Sequence, residues 1–240
     1  MINIKQQFYD ETYKNEGKYT KLRSSYRWLY LLFKKFEVHR LETVIQYISS
    51  GQRFLDIGCG SGSLIFKVSD RFNKLYGLDV SRSRLRSIKL KYSQFPEDIR
   101  KKVSFKYGDA DLKLRFPNNY FDTVTIVAVL EHLYDPIKVM DEIYRVLKVR
   151  GKVIVQIPNL GFLPRRLAVL LGNLPVTSED EKGWDGGHLH YFTVSSIYQY
   201  FNRNGLSIKE ITCSGIFASL RRKWVSLLGA DIIFIAEKNK

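Results

Sequence analysis

Cysteine is scarce in this chain of 240 residues, which has only Cys59 and Cys213. That excludes a disulfide framework and a multi-cysteine zinc cluster, and it fits a reducing compartment. No uninterrupted apolar run reaches the roughly 18–20 residues needed to cross a bilayer. The stretch from Met1 to Gly17 is polar and of mixed charge, so it does not read as a signal peptide, and a cytoplasmic protein is expected. There is no internal repeat, low-complexity tract or evident linker. Acidic residues are also in short supply: 24 Asp and Glu stand against 39 Lys and Arg, a net charge of +15. Such an excess suits anionic partners (nucleic acid, acidic substrates or anionic lipid) and equally a solvated basic surface.

What is present is an alternation of strand and helix patterns. Residues 1–50 read as helical and aromatic-rich, with Tyr9, Tyr13, Tyr19, Tyr26, Trp28 and Tyr30. Leu41, Val44, Ile45 and Ile48 then keep helical spacing, with Gly51 as the stop. Apolar strands are expected at 53–57, 74–78, 103–107, 121–129 and 152–157. The fourth is strongly apolar, as the middle of a buried parallel sheet requires. Helices are expected to open at Leu64, at the capping residue Ser81 and at Pro136. This alternation predicts an α/β fold with a mostly parallel sheet. Residues 159–192 break the rhythm with glycines and prolines around a short helix near 165–171. A helix near 194–202 and late strands near 206–213 and 232–237 follow. The expected division is an N-terminal helical cap (1–50) and a main domain (51–240), with 159–192 as an insertion or lid on the acceptor side.

The strongest motif is Phe54-Leu-Asp-Ile-Gly-Cys-Gly-Ser-Gly62, where the first main strand turns into a helix. Glycines at 58, 60 and 62 let the backbone turn tightly and approach a ligand. They form G-x-G-x-G, whereas a dinucleotide fingerprint needs glycine in place of Ser63, and no P-loop is present. Two acids mark later strand ends. Asp79 lies about twenty residues after Gly58, where a carboxylate can take both hydroxyls of a ribose. Asp109, in Tyr-Gly-Asp-Ala-Asp, can take the exocyclic amine of an adenine, and the Ala110 N–H a ring nitrogen. All three elements fall at the carboxyl edge of the sheet, where open α/β folds bind ligands.

These motifs resemble those of class I S-adenosylmethionine-dependent methyltransferases of the small-molecule type. The resemblance implies a Rossmann-like three-layer sandwich whose seven-stranded sheet is mostly parallel, with the last strand antiparallel. It implies that the Gly58–Gly62 loop packs on the methionine part, oriented by Asp56, and that Asp79 holds the ribose. Asp109 and Ala110 would hold the adenine, with Val80 and Val127 completing the cofactor set, and S-adenosylhomocysteine would be the product. The stretch 158–177 with 188–193 also looks like the methionine-biosynthesis W family, although the long segment before the first strand departs from that pattern. It looks more like the cap of small-molecule methyltransferases, where Tyr9 and Tyr13 would close over the site.

A methyl group on a sulfonium is already activated, so the protein must align the acceptor, exclude water and, for a hydroxyl or ammonium, remove a proton. His132, in Leu-Glu-His, is the candidate base, and Glu131 a second polar contact. His188 and His190 form another pair, read as a wall or lid of the acceptor pocket. No third ligand has convincing spacing to them, so no metal is expected. The acceptor is expected to be a small molecule, methylated on oxygen or nitrogen. An RNA methyltransferase using the basic surface, including the run Arg82 to Lys91, is the rival within the same chemistry. A nucleoside-binding regulatory partner without turnover is the rival outside it. The amino-methyltransferase motif of nucleic-acid enzymes is missing after the fourth strand, and neither cysteine is placed as a nucleophile.

Overall fold

The computed structural model describes residue 7 and residues 9–11, 33–178, 184–203 and 205–239. Tyr13, Tyr19, Tyr26, Trp28 and Tyr30 therefore lie outside the described residues. Seven strands form one sheet: β2 (Gly51–Ile57), β3 (Phe72–Asp79), β4 (Val103–Tyr107), β5 (Phe121–Val127), β6 (Leu147–Pro158), β7 (Leu206–Thr212) and β9 (Asp231–Lys238). Their order is β4-β3-β2-β5-β6-β9-β7. From β4 to β6 all pairings are parallel, and β9 runs antiparallel to both of its neighbours. The expected three-layer α/β sandwich, mostly parallel with its last strand reversed, is what the chain forms.

Strand periodicity divides the core between the two faces of this sheet. Leu55, Ile57, Val124, Ile126, Val153, Val155, Ile232 and Phe234 face one side. There they meet Val139, Met140, Ile143 and Val146 of the helix Pro136–Val146. Phe54, Leu75, Ile154, Ile233 and Ile235 face the other side. They pack with Val44 of the helix Arg40–Gln46 and with Leu85 and Ile88 of the helix Arg82–Tyr92. β5 is apolar at Phe121, Val124, Ile126 and Val127 but is not an unbroken apolar run. Asp122 accepts from the Gln52 and Arg53 amides, and Thr125 donates to Asp56, so these polar side chains find partners inside the fold.

Several boundaries differ from the sequence reading. Gly51 does not stop the preceding helix, which ends at Gln46; it opens β2, paired with Phe72. A Cβ there would lie 2.9 Å from Asp122 Cβ, so close strand packing explains the glycine. β5 stops at Val127 rather than Val129, because Ala128 takes φ 53° and turns the chain off the sheet. β6 begins at Leu147, five residues before the expected Lys152, through a register shift against Phe121–Thr123. A two-stranded sheet joins β1 (Glu37–Val38) to β8 (Gly215–Ile216), and a helix spans Glu97–Lys102; neither was expected. No helix among the described residues is long and apolar enough to cross a membrane.

Candidate active site

The carboxyl ends of β2, β3, β4 and β5 open onto one cavity of about 840 Å³. At the end of β2 the chain turns through Gly58 at φ 70°. A Cβ there would stand 2.2 Å from Val129 Cγ2, so only glycine lets the loop pass under the β5 turn. The Gly58 and Cys59 amides both donate to the Leu78 carbonyl, at 2.7 and 3.0 Å, which ties the loop to β3. Asp79, buried at the end of β3, accepts from the Gly60 N–H with one carboxylate oxygen and from the Ser81 N–H with the other, each at 2.8 Å. It therefore organises the glycine loop as well as lining the cavity. Asp109 accepts from the Asp111 N–H at 3.1 Å. Gly58, Asp79, Val80, Asp109, Ala110 and Val127 all line the cavity.

Asp56, Gly60 and Gly62 lie outside that lining. Asp56 is buried inside β2 and accepts a 2.7 Å hydrogen bond from the Thr125 hydroxyl of β5. Burial pushes its carboxyl up to about 7, against the Thr125 hydrogen bond and helped by the nearby charge of Asp79. Burial likewise pushes the Cys59 thiol well above its ordinary value. The N-terminal segment reaches the site through Asp10, whose carboxylate accepts from the Ser81 hydroxyl at 2.7 Å and the Ser83 N–H at 2.9 Å. Beside it Tyr9 lines the cavity with its ring edge-on to His132.

The other half of the cavity is lined by Glu131, His132 and Leu133 and by Val176, Thr177, Ser178, Gly186 and His188. Glu131 is 1% exposed, and its Oε2 has no hydrogen-bond partner among the described residues. Burial raises its carboxyl to about 7, offset only in part by its own amide and the charge of Arg40. The ring of His188 meets that of His132 edge-on, centroids 4.6 Å apart. The His188 Nε2 lies 3.9 Å from Glu131 Oε1. On its far side, His188 Nδ1 is 2.7 Å from the Thr177 hydroxyl, which donates to Asp185. Burial lowers the His188 pKa, and the Asp185 charge opposes this. His132 Nδ1 lies 3.2 Å from the Gly187 carbonyl.

The two histidines of His188-Leu-His190 part company. The Leu189 and His190 amides both donate to the Glu131 carbonyl, so the backbone turns there. His190 then sits outside the cavity, its Nε2 3.4 Å from the Tyr134 carbonyl. Tyr13 lies outside the described residues. Sequence reasoning passed over Thr177, Asp185 and Gln156. Gln156 lines the cavity, buried, with its Oε1 unpartnered among the described residues. A lone amide inside the apolar run Val153–Ile157 was its signal, since buried polar side chains are the informative exceptions in a core.

Residues 55–155 match the family described as a methyltransferase domain. A demethylmenaquinone methyltransferase from Lactococcus lactis is 34% identical over 126 residues, 51% of this chain and 48% of that protein. Phosphoethanolamine N-methyltransferase 2 from Caenorhabditis elegans is 35% identical over 113 residues, 47% of this chain and 25% of that protein. The chain spans about half the length of the first curated relatives it matches. In fold it is similar to the solved structure of a methyltransferase of unassigned role from Bacillus halodurans. That likeness has a TM-score of 0.63 and 16% identity, over 84% of this chain and 99% of the other.

Proposed function

We propose that this chain, a class I S-adenosylmethionine-dependent methyltransferase by the domain at residues 55–155, transfers a methyl group to an oxygen or nitrogen of a small-molecule acceptor. One observation carries this reading: the cavity that begins at Gly58, Asp79 and Asp109 continues to the buried carboxyl of Glu131, one oxygen of which is unpartnered among the described residues. The nucleoside half fits S-adenosylmethionine. Its floor at Gly58 is bare backbone with no room for a Cβ, and carboxylates stand at two successive strand ends. When bound, that group supplies a methyl already activated on a sulfonium.

The chain's own residues divide the remaining work. The glycine loop takes the methionine end, Asp79 the ribose hydroxyls, and Asp109 with the Ala110 N–H the adenine edge. Val80 and Val127 pack beside the base. Asp56 acts through the strand, holding β2 to β5 beneath the loop. Glu131, His132 and His188 face the acceptor, where a group titrating near neutrality can take a proton from a hydroxyl or ammonium. Tyr9 covers this end and keeps water out.

The names of the relatives offer acceptors to try first. Phosphoethanolamine carries an amine of the expected kind. An apolar aromatic hydroxyl compound would suit the apolar flank: Arg165 and Val176 line the cavity, and between them in sequence Leu167, Leu170, Leu171 and Leu174 stand exposed. Calorimetry with S-adenosylmethionine and S-adenosylhomocysteine tests the core of the reading. Both should bind the wild type, and Asp109→Ala should weaken them at least about tenfold, or ~1.4 kcal/mol. A wild-type chain that binds neither ends the proposal.

A further inference from the structure

Glu131, His132 and His188 come from two segments far apart in the chain, yet one potential ligand atom from each lies within 4.8 Å of the others. The hydrogen bonds around them decide which atoms these are. The Gly187 carbonyl can only accept, so His132 Nδ1 carries the proton and its Nε2 the ring's lone pair. The Thr177 hydroxyl gives its single proton to Asp185, so it must accept from His188 Nδ1–H, and His188 Nε2 also carries a lone pair. Glu131 completes the set with a buried carboxylate oxygen that nothing else in the described chain satisfies. The chain Asp185–Thr177–His188 has the form of an outer-shell support, in which a carboxylate fixes the tautomer and aim of a ligating imidazole.

We propose that Glu131, His132 Nε2 and His188 Nε2 hold a divalent transition-metal cation, of the zinc, manganese or ferrous type, at the acceptor end of the cavity. Two imidazoles and one carboxylate are a donor set such ions accept, and three protein ligands leave positions open for a substrate oxygen. The role of the ion rests on the methyl-transfer reading; the site itself does not. Its consequence is a choice among acceptors: a hydroxyl that can bind the cation, rather than an amine. A cation lowers the pKa of a bound water from about 15.7 to near 7, and a hydroxyl responds in the same sense. The proton of the hydroxyl leaves to solvent, the acceptor oxygen forms the new bond to the methyl carbon, and the carbon–sulfur bond breaks with its electron pair remaining on sulfur. His132 is then a ligand and not the base.

The test is binding of Zn²⁺, Mn²⁺ and Co²⁺ to untagged full-length chain, first stripped by a chelator. Calorimetry reads affinity, and the visible spectrum of Co²⁺ reads coordination by nitrogen. One ion per chain is expected, with a Co²⁺ spectrum distinct from the aqueous ion. His188→Ala should weaken binding more than about a hundredfold. Thr177→Val, which keeps all three ligands, should weaken it by about 10–100-fold, the usual outer-shell effect. Circular dichroism confirms that each variant folds. Wild-type affinity no better than that of His188→Ala, or an aqueous Co²⁺ spectrum, overturns the proposal. Calorimetry with S-adenosylmethionine on the same preparations separates the two readings. Metal bound without the nucleoside supports this site while removing the proposed function; nucleoside bound without metal does the reverse.

Discussion

Gly58→Ala would place a methyl carbon 2.2 Å from Val129 Cγ2 and 3.3 Å from both Val129 Cβ and Cγ1. Rotation about Val129 χ1 moves the two methyls but leaves Cβ at 3.3 Å, and a β-branched side chain has little freedom to make that rotation. The backbone adds its own cost, since Gly58 sits at φ 70°. A left-handed conformation costs an L residue about 1–2 kcal/mol. Overpacking at a site with no slack costs about 1–3 kcal/mol. The expected loss is thus about 2–5 kcal/mol, a large share of the ~5–15 kcal/mol that holds a domain together. Urea denaturation followed by circular dichroism measures it, and a cycle with Val129→Ala separates the parts. Removing both Val129 methyls should recover the packing share and leave the backbone share, so the double variant should be more stable than the sum of the single effects by about 1–3 kcal/mol. A coupling below about 0.5 kcal/mol would mean that the loop and the β5 turn do not press on each other, and the packing argument would fall.

Two further outcomes follow from buried polar groups. Between about pH 4 and 7 the folded chain keeps a proton on Asp56 that the unfolded chain releases, so stability should fall as pH rises through that window. Asp56→Asn should flatten this slope in melting temperatures taken across it, and parallel slopes for the two proteins would refute the assignment. The Asn159 side chain donates to the Val225, Ser226 and Gly229 carbonyls and accepts from the Gly161 N–H, all at the root of the segment beyond β6. Asn159→Ala strands several of these groups and should cost about 2–4 kcal/mol in the same urea assay, against the few tenths expected if water replaces the side chain.

The sheet was legible because its physics is local. Phe121, Val124, Ile126 and Val127 announce a strand through the middle of the sheet, and of the polar residues among them Thr125 is paired inside it, with Asp56. The start of β6 was hidden because Lys148 and Arg150 interrupt its apolar pattern at the irregular pairing with β5. Two-residue strands such as Glu37–Val38 carry no periodicity to read. On the nucleoside side, chemistry lies at the ends of consecutive strands, so motif order and fold order coincide. The acceptor side is assembled across a long separation, and nothing in Leu-Glu-His distinguishes a surface carboxylate from one that is 1% exposed. Likewise His188 and His190 look equivalent as a pair, and only the turn set by the Glu131 carbonyl sends them to different surroundings.

The rarity of cysteine gives the glycine loop a clock. Cys59 sits in that loop with its thiol buried and held in the protonated form, and Cys213 is buried as well. Only a thiolate reached by solvent reacts with an alkylating reagent. The rate at which Cys59 is labelled in an otherwise native chain therefore counts how often the loop lifts away from Leu78. A ligand that settles on the loop would slow that count, so its arrival can be timed without any knowledge of what is methylated.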